Sequence, residues 1–155
     1  MGKPARILIV DDDESIRKTI ASILEEKGYT VDTAENGKEA VTRCKAKEYN
    51  LALVDIRLPD TEGTKLLHAL ETVSPKMVKI IMTGYPALQN AIEAANQGAD
   101  AYLIKPVKID NLLNTIEEHL EKQRKSEKYS EVTVAEFLET RIKELEKQSL
   151  HKKNH

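Results

Sequence analysis

The sequence has a single cysteine, Cys44, which excludes a disulfide framework and a zinc site built from thiolates. Its four histidines lack metal-ligand spacing. There are 24 basic against 26 acidic residues, so the chain has no basic field for binding nucleic acid. No apolar run approaches the ~20 residues of a membrane span, and residues 1–6 lack the apolar core of a signal peptide. We therefore expect a cytoplasmic protein that binds neither nucleic acid nor membrane directly.

Short apolar stretches predict the strands of one domain, for which 155 residues suffice with some excess. Four of them end at a polar or charged residue, and these are residues 7–10, 51–54, 77–83 and 101–104. Continuous apolar runs of this length are typical of strands covered on both faces. Residues 29–34 alternate instead, which indicates a half-exposed strand at a sheet edge.

Helical patterns lie between these strands. Asp13 is expected to cap the first helix, whose apolar face includes Ile16 and Ile20, and Asn36 with Glu39 three residues later forms a capping pattern for the second. Asp110 is expected to cap the fifth. Strands that alternate with helices predict an α/β fold, in which right-handed crossovers build a parallel sheet with helices on both faces.

Polar side chains gather where the predicted strands end. Because all strands of a parallel sheet point the same way, one edge collects Asp11, Asp12, Asp55, Thr83 and Lys105. Crowded carboxylates repel one another unless a cation intervenes, and oxygen ligands favour Mg²⁺. Each residue alone could be an ordinary cap or turn, but together they favour phosphoryl transfer to a carboxylate.

The segments Val10-Asp11-Asp12, Val54-Asp55, Met82-Thr83-Gly84 and Ala101-Tyr-Leu-Ile-Lys105-Pro106 resemble the motifs of receiver domains of two-component response regulators. The resemblance covers about residues 5–122. It implies a doubly wound five-stranded parallel sheet in the flavodoxin-like order 2-1-3-4-5. On this basis residues 1–124 are expected to form the receiver domain, and residues 125–155 a charged C-terminal helical extension.

The resemblance also implies a role for each site residue. Asp55 would accept a phosphoryl group from a histidine kinase or phosphotransfer protein, so the chain would be a switch that assists its own phosphorylation and dephosphorylation, not an enzyme. Mg²⁺ would be held by Asp12, by Asp11 through water, by Asp55 and by the backbone carbonyl of Arg57. Lys105 would pair with Asp55 and precede a cis peptide bond to Pro106.

The resemblance implies that a switch follows phosphorylation. Thr83 would turn towards the phosphoryl group and Tyr102 would follow inward, which resets the surface of the fourth helix, fifth strand and fifth helix. Arg57 and Tyr85 are either solvent-facing loop residues or residues that tune dephosphorylation. The sharper hypothesis is that Tyr85 hinders attack by water.

Three questions stay open at this stage. A charged stretch at residues 121–131 interrupts the apolar pattern, which resumes at Val134, Leu138, Ile142 and Leu145 in a further helix. That helix either forms its own domain or joins a second copy, so a homodimer could use it or the fourth helix–fifth strand–fifth helix surface. An aspartate-nucleophile phosphatase of the haloacid dehalogenase type, using Asp11, is one alternative function, and a phosphorylation-independent scaffold is another. The chain is either a stand-alone receiver or the front of a longer regulator.

Overall fold

The computed structural model describes residues 3–84 and 88–153, and within them strands alternate with helices. The strands are β1 Arg6–Val10, β2 Thr30–Ala34, β3 Leu51–Asp55, β4 Val78–Thr83 and β5 Ala101–Ile104. The helices are α1 Glu14–Glu26, α2 Gly37–Ala46, α3 Gly63–Val73, α4 Leu88–Asn96 and α5 Ile109–Lys153. All five predicted strands are present, each within one residue of its predicted bounds.

The strands form one parallel sheet in the order β2-β1-β3-β4-β5, which confirms the implied order. β2 lies at an edge and is only partly buried, as its alternating pattern predicted. At the other end of the order, Thr83 pairs with Ile104. In between, Val10 pairs with Val54 and Asp55 with Met82, so the carboxyl ends of neighbouring strands lie side by side.

Two apolar layers cover the sheet. Successive strand residues face opposite sides, so Leu8 and Val10 join the cluster that includes α2, α3 and α4 residues, while Ile7 and Ile9 join the cluster of α1 and α5. The central strand β3 is buried along its whole length. The predicted α/β fold, with helices on both faces of the sheet, is confirmed.

Side-chain caps fix where two helices begin. Asp13 accepts a hydrogen bond from the Ile16 amide at 3.2 Å, and Asn36 accepts one from the Glu39 amide at 2.8 Å, as predicted. The Glu39 carboxylate in turn accepts from the Glu35 amide at 3.3 Å. The prediction for Asp110 was wrong by two positions, because α5 begins at Ile109, so the capping position is Lys108 and Asp110 lies inside the first turn.

The last helix continues further than its apolar pattern. Contacts divide the chain into two compact units, Met1–Leu120 and Glu121–His155. The charged residues 121–131 remain helical, so the further helix predicted after them is not separate, and α5 extends without a break to Lys153. In the second unit Val134, Phe137, Leu138, Ile142 and Leu145 are each at least 50% exposed. Among the described residues, no helix is both long and apolar enough to cross a bilayer.

A hydrogen bond beside the edge strand should shape the acid stability of the protein. The Tyr49 hydroxyl donates to Asp32 Oδ2 at 2.6 Å, and this bond lowers the pKa of Asp32 below its ordinary value of 3.8. A carboxyl group with a lowered folded-state pKa adds stability above its unfolded-state pKa, and that stability is lost as the pH falls through the folded-state value. Tyr49→Phe should therefore cost about 1–2 kcal/mol of unfolding free energy near neutral pH and almost nothing in strong acid.

Urea unfolding across this pH range measures the effect. Tyr102→Phe is the matched control, because the Tyr102 hydroxyl is buried without a hydrogen-bond partner, so its removal should leave the pH dependence unchanged. If the unfolding free energies of wild type and Tyr49→Phe differed by the same amount from neutral pH down to strong acid, the Tyr49–Asp32 hydrogen bond would not be the source of the effect.

Candidate functional site

The first acidic pair follows β1. Asp11 is fully buried, whereas Asp12 is exposed. One carboxylate oxygen of Asp11 accepts from the Asp13 amide at 2.9 Å, and the other accepts from Lys105 Nζ at 2.8 Å. The two acids therefore differ in kind: Asp11 is held by hydrogen bonds on both oxygens, and Asp12 faces solvent.

Asp55 ends the central strand and is 8% exposed. One of its oxygens accepts from the Arg57 amide at 3.2 Å, and the other lies 3.3 Å from Lys105 Nζ. Burial raises the pKa of Asp55, and the negative charge of Asp11 adds to this, although the Arg57 amide and Lys105 oppose it. Ionised Asp55 therefore carries a cost in the folded protein that a bound cation would relieve.

Lys105 connects the two buried acids. Burial by itself would lower the pKa of Lys105, but its hydrogen bonds with Asp11 and Asp55 and their charges outweigh burial, and the pKa is raised. The side chain is therefore a fixed positive charge at neutral pH. Its peptide bond to Pro106 is cis, as the resemblance implied.

The three acids form a cluster with room for a hard cation. One carboxylate oxygen from each of Asp11, Asp12 and Asp55 lies within 4.8 Å of the others. A single ammonium group cannot balance three carboxylates. The oxygen donors, with no sulfur or imidazole among them, fit Mg²⁺.

The backbone of Thr83 is hydrogen-bonded to that of Lys105. Thr83 is fully buried at the end of β4, and its carbonyl accepts a hydrogen bond from the Lys105 amide at 2.6 Å. Tyr102 on β5 is partly buried against the apolar cluster that contains Val54. Tyr85 lies outside the described residues, so its predicted position is not addressed.

The loop after Asp55 folds back against the end of its strand. Arg57 and Glu62 form an isolated antiparallel bridge, and the Gly63 amide donates to the Ile56 carbonyl at 2.6 Å. A Cβ atom on Gly63 would lie 2.6 Å from Ile56 Cα and 2.9 Å from the Asp55 carbonyl oxygen. Only glycine permits this approach, which fixes the loop that carries Arg57 next to the acidic cluster.

An apolar groove of about 390 Å³ borders the site. Its walls include Ile16 and Ile20 of α1, and Val107 and Leu112 from the segment that follows β5. Lys105 lies on its edge, so the groove adjoins the acidic cluster.

Two polar residues near the site were missed in the sequence. Arg17 is 8% exposed in α1 and hydrogen-bonds the Asp11 carbonyl, and Asp60 bonds two amides at the start of α2. A signal for Arg17 was available, because it falls at helical spacing with the buried Ile20 and Leu24. A charged residue on an apolar helix face needs a partner. Asp60 carried no such signal, since Asp is common in turns.

Comparison with known proteins agrees with this geometry. Residues 7–117 match the family model described as the response regulator receiver domain. The transcriptional regulatory protein ZraR of Klebsiella oxytoca is 37% identical over 137 residues, which cover 88% of this chain and 31% of ZraR. The chain spans about a third or less of the length of the curated relatives it matches.

Two solved structures show the same fold. A CheY-like response regulator receiver domain protein from Methanospirillum hungatei is 46% identical with a TM-score of 0.78, over 79% of this chain and 98% of that one. A response regulator from Burkholderia pseudomallei, solved with a phosphorylated aspartic acid, a calcium ion and citrate, is 30% identical with a TM-score of 0.70, over 79% of this chain and 72% of that one. These matches favour a receiver domain over the phosphatase and scaffold alternatives.

Proposed function

The chain belongs to the response regulator receiver family, and on that premise we propose that Asp55 accepts a phosphoryl group from a histidine kinase or phosphotransfer protein. The observation that carries the assignment is the placement of Lys105 Nζ, at 2.8 Å from Asp11 and 3.3 Å from Asp55 within one acidic cluster. A fixed ammonium at this point can stabilise the charge that develops on phosphoryl oxygens. The cytoplasmic location expected from the sequence is part of the same proposal.

The acids divide into metal ligands with different roles. We assign Asp12 as a direct ligand because its carboxylate is exposed, and Asp11 as a ligand through water because both of its oxygens already accept hydrogen bonds. Asp55 and the Arg57 carbonyl would complete the protein ligands. Bound Mg²⁺ would supply charge neutralisation between the carboxylates and the incoming phosphoryl oxygens.

The transfer itself needs little movement of Asp55. The Arg57 amide holds one carboxylate oxygen, and the other, which faces Lys105, attacks phosphorus. The new bond joins this oxygen to phosphorus as the bond between phosphorus and the donor histidine nitrogen breaks, and the electron pair leaves with that nitrogen. Lys105 then shifts its hydrogen bonds from the carboxylates to the phosphoryl oxygens.

The phosphodonor has to cover the rim of the site. The apolar groove between α1 and the segment after β5 adjoins Lys105, so it is the surface that a docked protein would occupy while its histidine reaches Asp55. This supports a protein partner of the histidine kinase or phosphotransfer type.

The switch is assigned to Thr83 and Tyr102. Moving a two-state equilibrium from 1:99 to 99:1 takes about 5.5 kcal/mol. Charge-assisted hydrogen bonds from Thr83 and Lys105 to the phosphoryl group would supply about 1.5–3 kcal/mol each. Tyr102 lies on β5 and packs against the apolar cluster that contains Val54 and Ile81. Its position can therefore follow a change at the end of β4 and reset the α4-β5-α5 surface.

Site mapping tests the assignment. Treatment with acetyl phosphate and Mg²⁺, followed by peptide mass spectrometry, should place one phosphoryl group on Asp55, and chelation of the metal should prevent its uptake. A phosphoryl group on Asp11 would overturn the proposal and favour the phosphatase alternative.

We also propose that residues 1–124 act as the receiver and residues 125–155 as an extension that joins two copies. Leu138, Ile142 and Leu145 are exposed at the alternating four- and three-residue spacing of a coiled-coil seam. In a parallel pair, Arg141 would flank this seam opposite Glu146 of the second copy, which gives charge complementarity. The exposed Ile104 marks the α4-β5-α5 face as the competing interface.

The two candidate dimer interfaces can be distinguished because a different substitution should disrupt each of them. Ile142→Lys should convert a dimer to a monomer in light-scattering measurements of molar mass, whereas Ile104→Lys should not, because only the first change places a charge in the helix seam. The masses should be measured with and without beryllofluoride and Mg²⁺. A dimer lost only in Ile104→Lys would assign the interface to α4-β5-α5, and a wild-type monomer under both conditions would refute the dimer.

A further inference from the structure

The turn that leads from β2 into the first residues of α2 contributes no carboxylate to the acidic cluster. It is nevertheless linked to both loops that do, directly to Asp60 and through Arg17 of α1 to the Asp11 carbonyl. We propose that this turn, residues 35–38, positions the two metal-binding loops through Arg17 and Asp60. The inference rests on the proposed function and deepens it, because it assigns two positioning residues to the same site.

Arg17 connects the turn to the β1–α1 loop. Its guanidinium is buried, which is unfavourable unless its donors are used. Nη1 donates to the Asp11 carbonyl at 2.7 Å, and Nη2 lies 3.5 Å from Glu35 Oε1. The Asp11 carbonyl belongs to the peptide unit that joins Asp11 to Asp12. Arg17 therefore fixes the orientation of the peptide from which both acids project.

Asp60 connects the same turn to the β3–α3 loop. Its two carboxylate oxygens accept from the amides of Gly37 at 2.9 Å and Lys38 at 3.0 Å. These amides are at the start of α2, where backbone N–H groups lack partners within the helix. Both bonds lower the pKa of Asp60, so the carboxylate is ionised and the contact is present at neutral pH.

The β3–α3 loop is short and closed, so holding Asp60 also holds Arg57. The Leu58 amide donates to the Thr61 carbonyl at 3.2 Å, and Arg57 and Glu62 form a bridge across the loop. The turn also fits closely here, since a Cβ atom on Gly37 would lie 2.5 Å from Thr61 Cγ2. The loop thus rests on the turn through polar and apolar contacts together.

The turn therefore holds the β1–α1 loop and the β3–α3 loop in a fixed position relative to each other, although the metal ligands on them follow two different strands. Metal sites require their ligands within about 0.5 Å of the productive geometry, and residues that orient ligands commonly contribute 10–100-fold to metal affinity. Arg17 and Asp60 are not members of the acidic cluster, which consists of Asp11, Asp12 and Asp55. Their effect would therefore be on the positions of the metal ligands and not on coordination itself.

Mg²⁺ titration of the full chain, followed by NMR amide shifts, tests the proposal. Arg17→Met and Asp60→Ala should each weaken Mg²⁺ binding by about 10-fold or more. Tyr49→Phe, which removes a hydrogen bond on the Asp32 side chain, is the control for a general loss of stability and should bind Mg²⁺ like wild type. Without metal, Asp60→Ala should speed hydrogen exchange of the Gly37 and Lys38 amides.

Conservative variants and the wild type separate the outcomes. Asp60→Asn keeps one acceptor oxygen and Arg17→Lys keeps the charge, so each should recover part of the lost affinity even where the larger change impairs folding. Unchanged Mg²⁺ affinity in Arg17→Met and Asp60→Ala, or equal losses in Tyr49→Phe, would overturn the inference. A wild-type chain that binds no Mg²⁺ would instead refute the proposed function.

Discussion

Asp55→Asn is expected to reduce phosphoryl uptake from acetyl phosphate to below about 1% of the wild-type rate, because the amide oxygen is not a competent nucleophile. The same variant should be at least as stable as wild type without metal near neutral pH. Burial raises the pKa of Asp55, so its ionised form opposes folding at pH values above that pKa, and asparagine removes the charge at nearly constant volume. Phosphate incorporation and urea unfolding measure the two effects.

Asp100→Asn provides the matched control. The Asp100 carboxylate accepts a hydrogen bond from the Lys79 amide at 2.8 Å, at the opposite end of β4 from Thr83, so its loss should leave phosphoryl uptake intact. Normal uptake by Asp55→Asn would count against Asp55 as the phosphoacceptor. A metal-free Asp55→Asn that is clearly less stable than wild type would count against the cost assigned to the buried charge.

The position of the site could be predicted because strand ends follow directly from the sequence. A continuous apolar run that stops at Asp55 marks both a buried strand and its last residue. Parallel pairing then puts all the strand ends at one edge of the sheet without any knowledge of side-chain conformation. The residues after β1 and β5 were expected together for this reason, and Lys105 does contact Asp11. The strand order could not be predicted from spacing, and its prediction came from the family resemblance alone.

Side-chain geometry could not be predicted in the same way. Lys105 was expected to pair with Asp55, yet its ammonium lies closer to Asp11, at 2.8 Å against 3.3 Å. The backbone fixes where a long side chain starts, and its rotamers decide where it ends. Asp60 was missed for a related reason, since its partners are 22 and 23 residues away on another loop.

The length of α5 shows what a lapse in an apolar pattern means. Residues 121–131 lose the apolar stripe, but Glu and Lys have good helix propensity, and Lys125 lies 4.0 Å from Glu121 one turn away. The pattern reports which residues pack on a core, and propensity with local ion pairs can continue a helix beyond it. The interruption that the sequence suggested was a loss of packing and not of helix.

Gly63→Ala should be the most damaging change of a single methyl group near the site. Alanine favours helix over glycine by about 1 kcal/mol, so propensity alone predicts stabilisation at this first residue of α3. The added Cβ would instead lie 2.6 Å from Ile56 Cα and 2.9 Å from the Asp55 carbonyl oxygen. Both are backbone atoms that no rotamer change can move, so we expect a loss of about 2–4 kcal/mol in unfolding free energy.

The same clash should slow phosphoryl transfer. Relief requires the end of β3 to move away from α3, which displaces Asp55, and a misplacement of about 1 Å can cost about 100-fold in rate. Gly84→Ala is the matched control just after the neighbouring strand, because among the described residues its Cβ would meet only Lys105 Cβ at 4.0 Å, an ordinary contact. Urea unfolding and acetyl phosphate labelling of both variants compare the two sites. Equal stability of the two variants would show that Gly63 does not lie as close to Ile56 and the Asp55 carbonyl as the structure places it. Equal labelling would show that the position of Asp55 does not depend on this contact.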